Sequence, residues 1–153
     1  MFLFKLLLGA LFIRIVSSRE LANNEICFSA VYRAYKPIKF AGPAGKKQWV
    51  MYCRNRLKVA SIYASAKVYC QPEEILSGVG VLEENCQRRI SQPLLPMSDF
   101  AANLTDETIA KMKVIENGEI SPEKKVNTPV LISKKFFDLS LKTVVWKPLT
   151  QKV

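Results

Sequence analysis

Residues 53–70, CRNRLKVASIYASAKVYC, carry a cysteine at each end and neither Pro nor Gly between them. Ala60, Ala64 and Ala66 favour a helix, and Leu57, Tyr63 and Ala64 share a face with Ala60. In one unbroken helix the two cysteines stand roughly 25 Å apart, at about 1.5 Å per residue. A disulfide needs Cα atoms within about 7 Å. Cys53 and Cys70 therefore cannot pair with each other, and each must reach another part of the chain.

Four cysteines are present, Cys27, Cys53, Cys70 and Cys86. Upstream, NNEICFSAVYRAYKPI places Ile26, Ala30, Val31 and Ala34 at helical spacing behind an Asn cap, with Pro37 as the stop. KFAGPAGKK is a loop by composition, and the quoted helix starts near Gln48. Downstream, QPEEILSGVGVLEENC reads as a third helix, with Pro72 at its start and Glu73 and Glu74 at the positive end of its dipole. Gly78 and Gly80 weaken its middle by about 1 kcal/mol each relative to Ala. The one or two residues between the second and third helices favour antiparallel neighbours, which brings Cys53 to Cys86 and leaves Cys70 for Cys27. Each bridge is worth roughly 4 kcal/mol in the chain-entropy model. If the glycines fold the third helix back on itself, Cys70–Cys86 returns as an alternative.

Such bridges require an oxidising compartment. The opening MFLFKLLLGALFIRIVSSRE supplies the route: Lys5, an apolar block from Leu6 to Ile13, and small residues before Arg19. It reads as a secretory signal peptide over residues 1–18, cut after Ser18, with an uncleaved anchor as the rival reading. Lys5 and Arg14 interrupt the apolar run well short of the roughly 20 residues a span needs. The mature domain is expected over 19–147, with a short tail over 148–153 after Pro148.

The remainder is helical or irregular by pattern. SQPLLPMSDFAA is extended around Pro93 and Pro96. NLTDETIAKMKVI forms a short helix, Thr105 to Met112, capped by Thr105. ENGEISPEKKVNTP is polar loop. VLISKKFFDLSLKTVVW forms a last helix, capped by Ser133, that buries Ile132, Phe136 and Leu139 and turns Thr143 toward the same face, with Trp146 partly exposed. No strand pattern stands out. The expected fold class is all-α: a small disulfide-stapled bundle of about five helices.

The cysteines are spread too evenly for a thiolate zinc site, which wants close pairs. The chain has no histidine, which removes Ser–His–Asp and Cys–His chemistry and histidine-ligated metals. The net charge of +10 comes as doublets (Lys46-Lys47, Arg88-Arg89, Lys124-Lys125, Lys134-Lys135) and not as a stripe interleaved with aromatics. It reads as a solvated basic surface suited to a membrane or cell wall, with no nucleic-acid partner; Arg88-Arg89 is also a candidate dibasic cleavage site. Asn103-Leu104-Thr105 fits the glycosylation sequon. The acid pairs Glu73-Glu74 and Glu83-Glu84 are candidate cation ligands, but opposite ends of one helix cannot converge, and helix surface charge is the plainer reading. Tyr63, Tyr69, Phe136, Phe137 and Trp146 are candidates for a stacking platform, with ordinary core as the plainer reading.

AVYRAYKPIKFAG, CRNRLKVASIYASAKVYC, LLP, NLTDETIAKMKV and PVLISKKFFDLSLKTVVW, in that order, resemble the extracellular N-terminal segment of fungal ferric-chelate reductases, from about Cys27 to Trp146. In that family the segment precedes a membrane region that holds two haems and a cytosolic part that binds FAD and NADPH. None of those haem, flavin or nicotinamide ligands has a counterpart position in this chain. The resemblance therefore implies a place in iron or copper reduction and uptake, outside the plasma membrane or secreted. It implies no catalytic residue, cofactor or metal ligand in these residues. A small secreted binding or effector protein is the alternative.

Overall fold

The computed structural model describes residues 21–42, 48–121 and 123–150, with side chains as far as residue 145. The segment expected to be a signal peptide lies outside them, as do the side chain of Trp146 and the last three residues of the expected tail. Among the described residues the chain runs α1 (Asn23–Ala34), α2 (Gln48–Arg54), α3 (Arg56–Tyr69) and α4 (Pro72–Ile90), then a 3₁₀ helix (Met97–Asn103) and α5 (Asp106–Ala110). β1 (Val114–Ile115), a 3₁₀ turn (Asn117–Glu119), β2 (Leu131–Ile132) and α6 (Lys134–Thr150) complete it. The protein is all-α in class, small and stapled by two disulfides, Cys27–Cys70 and Cys53–Cys86.

The stretch expected to be one helix is two. Asn55 leaves helical geometry at φ −78° and ψ 110°, and its Oδ1 accepts the Lys58 N–H at 2.9 Å as the N-cap of α3. Its Nδ2 donates to the Ala41 carbonyl, also at 2.9 Å, so the loop before α2 holds the break in place. Asn competes with the backbone for hydrogen bonds and needs neither Pro nor Gly to divide a helix. Cys53 therefore belongs to α2, while Cys70 stands at the C-cap of α3. α3 is buried without interruption from Lys58 to Ala66, so it is the central rod of the fold and has no solvent face there.

α4 remains one helix through both glycines and packs chiefly along α1, with α2 beside it and α3 a lesser neighbour. Gly78 is the reason for the close approach. A Cβ built there would sit 2.1 Å from the Cβ of Phe28, whereas one at Gly80 would meet open space. The expected Asn cap of α1 is replaced by Glu25, whose carboxylate accepts the Ala22 N–H at 2.9 Å. Asn24 instead reaches Ser77 of α4. α5 is shorter than expected and ends at Ala110, with Thr105 as its cap.

The C-terminal part adds what no sequence pattern announced. β1 and β2 pair in parallel, Val114 with Leu131 and Ile115 with Ile132, and an isolated bridge joins Phe40 to Val126. α6 starts at the Ser133 cap, whose Oγ accepts the Phe136 N–H at 3.2 Å. Its inner face is Phe136, Phe137, Ser140 and Val144, not Leu139, which is 42% exposed, nor Thr143, which is exposed too. Ser140 takes the inner place because its hydroxyl donates to the Ala30 carbonyl of α1 at 2.6 Å, a close crossing that a leucine would hold apart. α6 also continues to Thr150, past Pro148. Pro148 brings no N–H for the Val144 carbonyl, so this last turn of α6 lacks one ladder bond.

Candidate functional site: a basic aromatic cleft

The residues singled out in the sequence do not form one site. Both disulfides are buried, with Cα–Cα separations of 5.8 Å for Cys27–Cys70 and 5.9 Å for Cys53–Cys86. Cys27, Cys70 and Glu74 come close enough to suggest a metal-binding group, but the two sulfurs are bonded to each other and offer no thiolate. Asn103 is exposed at the end of the first 3₁₀ helix. In the same sequon, the Thr105 hydroxyl accepts the Thr108 N–H at 3.3 Å.

The acid pairs work as structural acceptors. Glu74 accepts the Gln71 N–H at 2.8 Å at the start of α4, and Glu83 accepts the Leu94 N–H at 2.7 Å. The described members of the aromatic set sit in or against the core, and the Trp146 side chain lies outside the described residues. Tyr63 is fully buried and donates to the Leu95 carbonyl at 2.7 Å. Tyr69 donates to the Ile132 carbonyl at 2.7 Å and stacks on Phe137 with centroids 4.7 Å apart. These rings fix the second half of the chain to α3 and leave no open platform.

Phe136 of that set and three other aromatics line a cleft of about 770 Å³ among α1, α2, α6 and the end of α4. Tyr32 and Arg33 come from α1, Trp49 and Tyr52 from α2, and Arg89 from α4; Lys36 follows α1. Phe136, Leu139 and Thr143 form the α6 wall. The break at Asn55 makes this arrangement possible, because it lets α2 leave the line of α3 and turn Trp49 and Tyr52 to this side. Tyr52 meets Tyr32 edge to face at 5.8 Å and Trp49 at 5.7 Å, and the Arg89 guanidinium lies 5.8 Å from the Trp49 ring centre. Among the described lining residues three are cationic and none is acidic.

Lys58 stands behind this wall. It is 3% exposed, with its ammonium 4.3 Å from the centre of the Tyr52 ring and 5.8 Å from that of Phe40. It donates to the Ile38 carbonyl at 3.4 Å. Cation–π attraction offsets part of the loss of water, yet burial still pulls the Lys58 ammonium down to about 8. Burial likewise pushes the Tyr52 phenol well above its ordinary range. Sequence reasoning missed both the cleft and Lys58. The cleft residues are drawn from positions 32 to 143 with no local spacing to betray them, and lysine is the residue least expected inside.

Comparison of the chain with models of known families, with curated proteins and with solved structures gives no match.

Proposed function

We propose that the chain is a non-catalytic extracellular domain, similar to the N-terminal segment of fungal ferric-chelate reductases, that works by binding at the outer face of the plasma membrane or the cell wall. The observation that carries this reading is the pair of buried disulfides within the helical core, Cys27–Cys70 and Cys53–Cys86. Such bonds persist in secreted and surface proteins and are reduced in the cytosol. The carboxylates whose contacts are given above cap helices and loops, and the cysteines are consumed as staples. Both uses fit a scaffold better than a reaction centre. The resemblance in sequence order supplies the association with metal reduction and uptake.

The exposed Asn103 suits a glycan on this domain. The test is expression through the secretory route of a fungal host. The expected product begins at Arg19, carries two disulfides and an Asn103 glycan removable by endoglycosidase, and yields no ferrous iron from a ferric chelate with NADPH. A cytosolic product with reduced thiols would overturn the extracellular reading, and enzyme-dependent ferrous production would overturn the non-catalytic one. Coding DNA downstream with histidine-bearing apolar segments would support the reductase association. The alternative, a small secreted binding or effector protein, is favoured by one observation: a cleft whose cations and rings converge.

A further inference from the structure

We propose that the cleft among α1, α2 and α6 is a binding site for a small organic anion with a flat apolar body, an aromatic carboxylate or sulfonate. The inference stands apart from the reductase association and concerns this site alone. Size comes first. About 770 Å³ lies within the roughly 300–1,000 Å³ typical of small-molecule pockets. Charge comes second. Arg33, Lys36 and Arg89 line one cleft with no acidic side chain among its described lining, so the described walls attract an anion. Guanidinium groups suit carboxylate or sulfonate oxygens, since their N–H donors match two oxygens at once.

Shape and polarity come third. Trp49 and Tyr32 are half-buried and keep ring surface within reach of the cleft, and Phe136 and Leu139 supply an apolar wall opposite. An apolar planar body covers these surfaces, whereas a compact inorganic anion would satisfy the arginines and leave the rings wet. Leu139 then has a reason to stand outside the core: it faces this cleft. Lys58 adds a fourth positive charge behind Tyr52, in a place from which water is nearly excluded and where its field is weakly screened. Arg33, Lys36 and Arg89 thus border one ring-lined space, with Lys58 behind it, unlike the scattered doublets of the rest of the surface.

The experiment uses the full disulfide-bonded chain with Trp146→Phe, which leaves Trp49 as the single tryptophan reporter. Anilinonaphthalene sulfonate is the anionic probe and uncharged anilinonaphthalene its control, with Trp49 quenching and calorimetry as readouts. The expected result is saturable quenching by the anion and at least about tenfold weaker binding of the neutral compound. Arg33→Gln and Arg89→Gln each weaken the anion about tenfold and leave the neutral compound unchanged, while Arg89→Lys, which keeps the charge but loses the paired donors, falls between the parent and Arg89→Gln. Thr143→Phe fills the cleft at an exposed position without adding a tryptophan and abolishes both quenching signals, with the circular dichroism and melting of the parent retained. Equal affinity for the charged and neutral compounds, indifference to both Gln variants, or no quenching at millimolar probe would overturn the proposal. Phosphatidylserine vesicles that displace the probe and depend on the same arginines would also overturn it, by assigning the surface to lipid headgroups.

Discussion

Residues 21–96 and residues 97–150 are held by different means, although both rest on α3. In the first region two disulfides tie α1 to the end of α3 and α2 to α4, and Gly78 lets α4 lie directly against Phe28. In the second no covalent bond reaches back among the described residues, and the attachment is a set of long-range hydrogen bonds to buried polar groups. Ser61 Oγ accepts the Val130 N–H at 3.0 Å, and Ser65 Oγ accepts the Ile132 N–H at 3.4 Å. Tyr35 Oη lies 2.7 Å from Ser65 Oγ and 2.8 Å from the Val130 carbonyl.

The Tyr35 hydroxyl has one hydrogen and two carbonyls within reach, Val130 at 2.8 Å and Ser61 at 3.0 Å, and either member of the Tyr35–Ser65 pair can be its donor. Ile132, Ser65, Tyr35 and Val130 thus form a buried loop of hydrogen-bonded neighbours, in which each bond strengthens the next. Lys67 donates to the Leu104 carbonyl at 2.7 Å, and Ser140 adds the bond to α1. Two serines in the middle of a central helix thus serve as sockets for a strand. Staples preserve the first region by limiting its unfolded state; the second depends on buried polar groups being satisfied.

Cutting a staple should have the largest effect. Cys53→Ser with Cys86→Ser opens a loop spanning 33 residues of sequence separation and is expected to cost about 4 kcal/mol in urea unfolding. A loss below about 1 kcal/mol would mean that packing alone holds α2 to α4. Next comes the α1–α4 contact: Gly78→Ala is expected to lose about 3 kcal/mol by forcing the helices apart. Gly80→Ala, in open space, should gain up to about 1 kcal/mol. Equal effects at the two glycines would show that helix propensity, and not the Phe28 approach, governs α4.

Lys58 sharpens the comparison by pH. Its folded value of about 8 lies below the ordinary 10.5, so between them the unfolded chain holds a proton that the folded chain has released. Stability therefore rises with pH across that window, and the penalty, present in full below it, is gone above it. Tyr35, Tyr52 and Tyr63 act oppositely, because burial raises them above the ordinary 10.0 and their deprotonation in the unfolded state costs stability at higher pH. Thermal melts should show a maximum near pH 10, at about the crossing of these effects. Lys58→Met should be more stable than the parent at neutral pH and should lose the rise. The smallest effect belongs to Ser29, whose fully buried hydroxyl has no hydrogen-bond partner among the described residues. Ser29→Ala should raise stability by about 1 kcal/mol, and a comparable loss would reveal a partner for that hydroxyl.

The first region was the more legible. Its pairing follows from cysteines too far apart along helices to join within them, and Pro72 marks the start of α4 by the ordinary proline rule; in the second region Thr105 and Ser133 mark starts by capping. The pairing holds even though the stretch expected as one helix breaks at Asn55, because Cys53 in α2 and Cys70 at the end of α3 are still held apart. That break depends on the Ala41 carbonyl, a partner 14 residues away that no local pattern reveals. Strands of two residues have no period to read. On α6 the inner face differs by one position from the expected one, since hydrophobicity chose Leu139 while a tertiary hydrogen bond chose Ser140. Gly78 looked like a flaw in a helix and is a contact. The cleft needed all four of its helices in place before its cations and rings could be seen together.

Amide hydrogen exchange on the oxidised protein tests the two-region account most directly, with Tyr35→Phe and Ser65→Ala compared with the parent. Both variants keep the disulfides and remove a link in the buried hydrogen-bond loop. The account predicts that protection falls about tenfold or more at Val130, Ile132 and the first turns of α6, while amides in α1, α3 and α4 keep theirs. Uniform loss across both regions, or no loss at Val130 and Ile132, would contradict it.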